Sequence, residues 1–111
     1  MAIDAFWEME LNPRHSVADA AAHYGAWPGW AAATRAARPH EAGIRYGAHP
    51  RETMDVFRAA EPKGAVMFIH GGYWRAFSKD DFSWVADGFV DQGLTVAVVS
   101  YPLFPEARLA Q

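Results

Sequence analysis

The stretch from Ala65 to Trp74 reads A-V-M-F-I-H-G-G-Y-W and holds the residues best suited to chemistry. Five apolar residues end at His70, and Gly71 and Gly72 follow before two aromatic residues. Such an apolar run is typical of a strand buried on both faces, and glycines let the backbone bend sharply where another group must come close. A strand that opens into this turn before a helix directs main-chain N–H groups at one point, where they can stabilise negative charge on an oxygen.

The motif His70-Gly71-Gly72-Tyr73-Trp74 resembles the oxyanion loop of α/β-hydrolases, the H-G-G-type loop after the third strand. Its continuation from Arg75 to Phe82 is most similar to the kynurenine formamidase (arylformamidase) family. Three further segments carry this resemblance: L-N-P-R at 11–14, Y-G-A-H-P at 46–50 with D-V-F at 55–57, and S-Y-P-L at 100–103 with Pro105. The resemblance covers essentially the whole chain and implies a partial α/β-hydrolase fold.

The resemblance also assigns roles within the loop. It makes the backbone N–H groups of Gly72 and Tyr73 the oxyanion donors, each contributing roughly 3 kcal/mol of transition-state stabilisation. The alternative is an ordinary strand–helix turn that needs glycine torsions. The side chains of Tyr73 and Trp74 either line an aromatic substrate pocket or pack the loop against the core. His70 is expected to orient the loop by hydrogen bonding, since the family's base lies far downstream, and Gly71 is expected to serve the turn itself.

The rest of the hydrolase machinery is missing from the sequence. The serine nucleophile of α/β-hydrolases lies at a G-x-S-x-G elbow and is followed by an acid and a histidine. No such pattern occurs in the 111 residues; the four serines lie in other contexts, at Ser16, Ser78, Ser83 and Ser100. A helix predicted from Glu106 to Gln111 has no stop signal, so we expect the chain to be truncated before the elbow.

The activity implied by the resemblance is hydrolysis of an aryl formamide, N-formylkynurenine, to kynurenine and formate without a cofactor. The 111 residues alone are expected to be inactive. A general carboxylesterase or lipase-like hydrolase stays open, because H-G-G loops are shared across the superfamily. A non-catalytic remnant, or a half that works with a partner chain supplying the serine elbow, is the third possibility.

The composition excludes several classes of function. A chain of 111 residues that is 51% hydrophobic and has five Trp is typical of one globular domain at most, or of a piece of one. A net charge of −3 with scattered Lys and Arg predicts neither a nucleic-acid nor a membrane surface as partner. The absence of Cys excludes disulfides, and the remaining histidines have no metal-site spacing: His15, His23, His40 and His49. With no apolar leader or membrane span, we expect a cytoplasmic protein.

The predicted architecture is α/β, with a helical arm over residues 1–40 and the N-terminal half of a hydrolase domain over 41–111. In the arm, Ser16 is predicted to cap a helix that reaches about Tyr24. The sequence Trp27-Pro28-Gly29 is predicted to interrupt it before a second helix from about Trp30 to Arg38. The arm either docks on the rest of the chain or forms a flap over a substrate pocket.

Beyond the arm, the pattern predicts strands and one helix. Alternating residues around Ile44 and over 53–58 predict an antiparallel hairpin. The strand 65–69, a Ser78-capped helix ending at Gly93, and the strand 94–99 predict a parallel βαβ unit; the predicted apolar face of the helix is Phe82, Val85, Phe89 and Val90. In the family's sheet, the third strand lies between the fourth and the fifth. Without a fifth strand, 65–69 is an open apolar edge that favours self-association.

Overall fold

The computed structural model describes residues 2–108 and 110, and it shows a four-stranded mixed sheet with helices against it. The helices are α1 (Ala5–Leu11), α2 (Pro13–Ser16), α3 (Ala20–Ala37) and α4 (Ala86–Asp91), with 3-10 turns at Lys79–Asp81 and Ser83–Val85. The strands are β1 (Glu41–Arg45), β2 (Thr53–Phe57), β3 (Gly64–Ile69) and β4 (Leu94–Val99). Their order across the sheet is β1-β2-β4-β3.

The strand pairing confirms the predicted hairpin and the predicted βαβ unit. β1 and β2 are antiparallel and are joined by residues 46–52, and β2 is also antiparallel to β4. β3 is parallel to β4, in register from Gly64 opposite Leu94 to Ile69 opposite Val99. The crossover between β3 and β4 contains both 3-10 turns and α4. The α/β class predicted from the sequence is therefore correct.

The hydrophobic core lies between one face of the sheet and the helices. Its buried members come from the strands and from the crossover: Phe57, Val96 and Val98, with Phe82 and Ala86. Trp27 of α3 packs against this cluster, with ring centroids 5.2 Å from Phe82 and 5.5 Å from Phe77. Burial of a large apolar side chain contributes about 1.5–3 kcal/mol, so these contacts fix α3 against the crossover.

The helical arm differs from its prediction. Ser16 begins no helix; it ends α2, and its hydroxyl donates to the carbonyl of Pro13. α3 continues through Trp27-Pro28-Gly29, so the predicted interruption and the separate helix from Trp30 are wrong. A proline inside a helix removes one hydrogen bond and costs about 3 kcal/mol. The packing of the Trp27 side chain against several aromatic rings offsets this cost and keeps the helix continuous.

The crossover begins at Ser78 as predicted, but as 3-10 turns rather than one α-helix. The Asp81 carboxylate accepts a hydrogen bond of 2.9 Å from the Ser78 N–H, which completes a capping box. Phe82 is buried, whereas Phe89 is 38% exposed, so the predicted apolar face is only partly covered. Gly93 follows α4 with φ 82°, as expected for a residue that ends a helix.

The C-terminal segment does not confirm the last predicted helix. Glu106 is the last residue of a turn, and residues 107–108 after it are not helical. Leu109 and Gln111, on which that prediction also falls, lie outside the described residues. No helix in the described ranges is long and apolar enough to cross a membrane.

β3 is an edge strand of the sheet, but it is not buried on both faces. Phe68 packs against the core, while Met67 and Ile69 are 62% and 65% exposed. The prediction of burial on both faces is therefore wrong for the described chain, because no described residue covers these two side chains. An exposed apolar edge presents unpaired main-chain groups to other strands.

The exposed edge leads to a prediction about association. Replacement of Ile69 by Lys is expected to lower the associated fraction of the chain, because charges on an edge strand oppose strand pairing. Sedimentation velocity at matched concentrations measures this fraction. The control is Ala36→Lys, which places the same charge on an exposed position of α3. A wild-type chain that is wholly monomeric, or equal association of the two variants, contradicts the prediction.

Candidate functional site

The loop that leaves β3, residues 70–77, is called the glycine loop below. The carbonyl of Gly72 accepts a hydrogen bond of 3.1 Å from the Arg75 N–H, and the two residues between them, Tyr73 and Trp74, both have φ 56°. Positive φ at both central residues is the mark of a type I′ turn. For residues other than glycine this conformation costs about 1–3 kcal/mol each, so it persists only where the surroundings hold it.

Gly72 is the glycine that this conformation requires. Its φ is 119°, and a β-carbon there would collide with the carbonyl oxygen of Ala76 and the ring of Phe77. Gly71 lies outside the left-handed region, and a β-carbon there would have no neighbour within 4 Å. Of the two glycines, only Gly72 therefore has a conformation and close contacts that exclude a side chain; Gly71 has open space beside it.

The two predicted oxyanion donors make no internal hydrogen bonds. Within residues 2–108 and 110, no acceptor lies in hydrogen-bonding position to the N–H of Gly72 or of Tyr73. The loop is open to solvent, since the side chains of Tyr73 and Trp74 are 83% and 53% exposed. Buried N–H groups are rarely left unpaired, but exposed ones can exchange water for a ligand. The turn thus leaves two N–H groups without an acceptor among the described residues.

Two surface cavities of the described chain lie away from the glycine loop. One, of about 430 Å³, lies between the β2–β3 connection and the end of α4. The other, of about 700 Å³, lies between α3 and the crossover and is lined by Trp30 and Trp84. Neither is lined by Tyr73 or Trp74. The pocket-lining role of these two side chains therefore stays a prediction.

His70 is buried beneath the glycine loop, with 3% of its surface exposed. Its ring is stacked between those of Phe82 and Tyr101, at centroid distances of 5.6 and 4.4 Å. Nδ1 lies 2.6 Å from the carbonyl oxygen of Gly71, and since a carbonyl only accepts, Nδ1 is the protonated nitrogen. Nε2 has no partner among the described residues. Burial lowers the pKa of His70, and the bond to Gly71 only partly offsets this, so the ring is neutral at pH 7.

The segment that follows β4, residues 100–104, donates hydrogen bonds to two carbonyls of the glycine loop. The Tyr101 hydroxyl donates to the carbonyl oxygen of His70 at 2.6 Å. The Phe104 N–H donates to the carbonyl of Trp74 at 2.8 Å. The sequence singled out this S-Y-P-L segment only for its resemblance, and we did not predict that it would support the loop.

A buried ion pair fixes the far end of the loop. Lys79 Nζ lies 2.9 Å from Oδ1 of Asp55, which is 1% exposed on β2. The Lys79 N–H also donates to the buried Ser100 hydroxyl at 2.9 Å. Burial lowers the pKa of Lys79, but its bonds to Asp80 and Asp55 together raise the pKa by more, so the net shift is upward. The Ser100 hydroxyl therefore has a structural role, as the acceptor of the Lys79 N–H.

Comparison with characterised proteins identifies similar sequences. Kynurenine formamidase from Danio rerio is 30% identical over 69 residues, which are 60% of this chain and 24% of that protein. The kynurenine formamidase of Drosophila melanogaster is 32% identical over 71 residues, covering 61% and 23%. The chain thus spans about a quarter of the length of the curated relatives it matches. No protein-family model matches it.

Solved structures show the same fold. A Silicibacter protein provisionally assigned as a thioesterase has a TM-score of 0.86 and 32% identity over 90% of this chain and 39% of its own. Esterase B from Lactobacillus rhamnosis has a TM-score of 0.57 and 22% identity over 80% of this chain and 32% of its own, and supports the fold alone. The chain therefore has part of the α/β-hydrolase fold and resembles kynurenine formamidases.

The two glycines of the loop are expected to respond differently to substitution. Gly72→Ala forces a β-carbon against backbone atoms at positive φ, and we expect it to lower the free energy of unfolding by about 1–3 kcal/mol or more. Gly71→Ala meets open space and is expected to change it by less than about 0.5 kcal/mol. Urea denaturation followed by circular dichroism measures both. Equal effects of the two variants would show that the turn is not held as described.

The buried imidazole gives the stability a dependence on pH. Because the folded pKa of His70 lies below the unfolded value of about 6.5, the unfolded chain binds a proton that the folded chain excludes. The contribution of His70 therefore makes the folded chain most stable above pH 6.5 and lowers its stability as the pH falls, by at most about 1.4 kcal/mol per pH unit. Urea midpoints at pH 7.5 and 5.5 are expected to differ less in His70→Gln than in wild type. Replacement of the exposed His23 by Gln is the control, and a wild-type slope retained in His70→Gln refutes the assignment.

Proposed function

We propose that the chain is the oxyanion-loop part of a serine hydrolase of the kynurenine formamidase type. The supporting observation is the pair of unpaired N–H groups, on Gly72 and Tyr73, in an exposed turn after β3. The carboxyl ends of parallel strands are where open α/β sheets bind ligands. The similarity to kynurenine formamidases favours an aryl formamide as the substrate.

The proposed reaction is the hydrolysis of N-formylkynurenine to kynurenine and formate. A serine hydroxyl attacks the formyl carbon while a histidine takes its proton, and the carbonyl oxygen becomes an oxyanion. Collapse of this intermediate breaks the C–N bond, and the histidine returns the proton to the aryl amine. Water then hydrolyses the formyl-serine ester and releases formate. The N–H groups of Gly72 and Tyr73 hold the oxyanion in both steps.

The other loop residues have supporting roles in this proposal. His70 orients the loop through its bond to the Gly71 carbonyl, and its neutral ring adds no charge beneath the donors. Tyr73 and Trp74 offer exposed aromatic faces against which an aryl group can stack. Residues 1–40 form the arm and 41–111 the hydrolase part. Because no G-x-S-x-G occurs in the 111 residues, we expect them not to turn over substrate by themselves.

A second candidate is hydrolysis of an ester or thioester. The observation that favours it is the structural likeness to the Silicibacter protein assigned as a thioesterase. The oxyanion formed from an ester carbonyl is held in the same way as that from a formamide. The glycine loop alone therefore does not separate the two substrates.

The gene and its whole product test the proposal together. We expect the reading frame to continue beyond codon 111 into a G-x-S-x-G followed by Asp and His. The whole product is expected to have a higher kcat/KM for N-formylkynurenine than for a p-nitrophenyl ester or a thioester. A higher value for either ester supports the second candidate. A stop codon directly after Gln111, with no hydrolysis of any of these substrates, refutes both and supports a non-catalytic remnant.

A further inference from the structure

One arginine of the β1–β2 turn donates hydrogen bonds to two separate segments at the glycine loop. The Nε of Arg51 donates to the carbonyl of Tyr101 at 2.9 Å, and Nη2 donates to the carbonyl of Phe77 at 2.6 Å. Phe77 is the last residue of the glycine loop, and Tyr101 lies in the segment 100–104, which donates hydrogen bonds to the loop. The guanidinium therefore joins three parts of the chain that are far apart in sequence.

The backbone of Arg51 is itself fixed by the turn that carries it. The Arg51 N–H donates to Nδ1 of His49 at 3.1 Å, and the His49 N–H donates to the Glu52 carboxylate at 2.8 Å. The Tyr46 N–H closes the turn by donating to the carbonyl of Glu52 at 3.0 Å. The Arg51 side chain thus starts from a defined position.

The spacing of the two carbonyls favours an arginine over a lysine. The Nε and Nη2 of a guanidinium are separate donors held in one plane, so each reaches a different carbonyl, whereas the three N–H groups of a lysine ammonium share one nitrogen. One of these acceptors belongs to Phe77, whose φ of 72° is left-handed. A side chain of this size holds such a conformation only where its neighbours fix it. The bond from Arg51 to the Phe77 carbonyl supplies such a constraint at the exit of the loop.

We infer that Arg51 is a positioning residue for the two oxyanion donors. By fixing Phe77 and Tyr101 relative to each other, it keeps the turn at residues 72–75 in register with the segment after β4. Among the described residues, the Arg51 side chain donates to these two carbonyls and makes no hydrogen bond to Gly72 or Tyr73, so it acts on the donors indirectly. The assignment of a catalytic purpose to this bracing rests on the proposed function.

Amide hydrogen exchange in the 111-residue chain tests the inference, with each N–H resolved by two-dimensional NMR. Two amides report on the loop: Arg75, which donates to Gly72, and Phe104, which donates to Trp74. In Arg51→Ala we expect both to exchange about tenfold faster, because a bracing bond of ordinary strength is lost. The amides of Val96 and Val98 in β4 are expected to keep their rates.

Two further variants make the result decisive. Arg45→Ala removes another arginine of the same hairpin, whose hydrogen bonds within the described part of the chain go to Gly47 and Ala48 of its own turn. This variant is expected to leave the exchange of Arg75 and Phe104 unchanged. Arg51→Lys keeps the charge and most of the stem, so it gives a reading even if Arg51→Ala does not fold. We expect it to accelerate exchange at Arg75 and Phe104 as well, because a single ammonium nitrogen cannot occupy the positions of both Nε and Nη2.

The inference is overturned if Arg51→Lys exchanges like wild type, or if acceleration is equal in the loop and in β4, which would indicate global destabilisation only. This outcome is independent of the hydrolase proposal. If the Arg51 variants loosen the loop but the gene encodes no serine elbow, Arg51 keeps its structural role and loses its catalytic purpose. If the whole product is an active hydrolase but the Arg51 variants leave the loop amides unchanged, only the inference about Arg51 fails.

Discussion

The glycine loop and the segments around it depend on a backbone turn, residues 72–75, that is unfavourable in isolation. Tyr73 and Trp74 occupy left-handed conformations that side chains of their size rarely adopt. The chain holds them by hydrogen bonds from the segment after β4, through Tyr101 and Phe104, rather than by burial of their own side chains. Strain of this kind clusters at ligand-binding and active sites, which supports the proposed role of the Gly72 and Tyr73 N–H groups as oxyanion donors.

The sheet explains how distant residues reach this turn. β3 and β4 are parallel and adjacent, so the glycine loop and segment 100–104 leave the sheet at the same end. β2 pairs with β4 on its other side, which brings the β1–β2 turn to that end as well. The contacts of Arg51 and Lys79 with the loop and its supports follow from this strand order. Each is a long-range contact that becomes possible only once the sheet has formed.

Local patterns predicted the strands and the motif, and long-range packing decided the rest. The apolar runs of β3 and β4, and the Ser78 cap, are visible in the sequence because each depends on neighbouring residues. Pro28 indicated a break in the arm, yet the packing of Trp27 against other aromatic rings keeps α3 continuous. The supporting role of Arg51 was not predictable, since no local pattern links it to a carbonyl 26 residues away.

The exchange rates of four amides in the wild-type chain test the central claim most directly, namely that the turn is held and its donors are free. We predict that Gly72 and Tyr73 exchange close to the rate of an unstructured peptide, while Arg75 and Phe104, whose N–H groups hold the turn, are protected. Protection of Gly72 and Tyr73 would mean that their N–H groups are already bonded and cannot hold an oxyanion. Rapid exchange at all four positions would mean that the turn is not held.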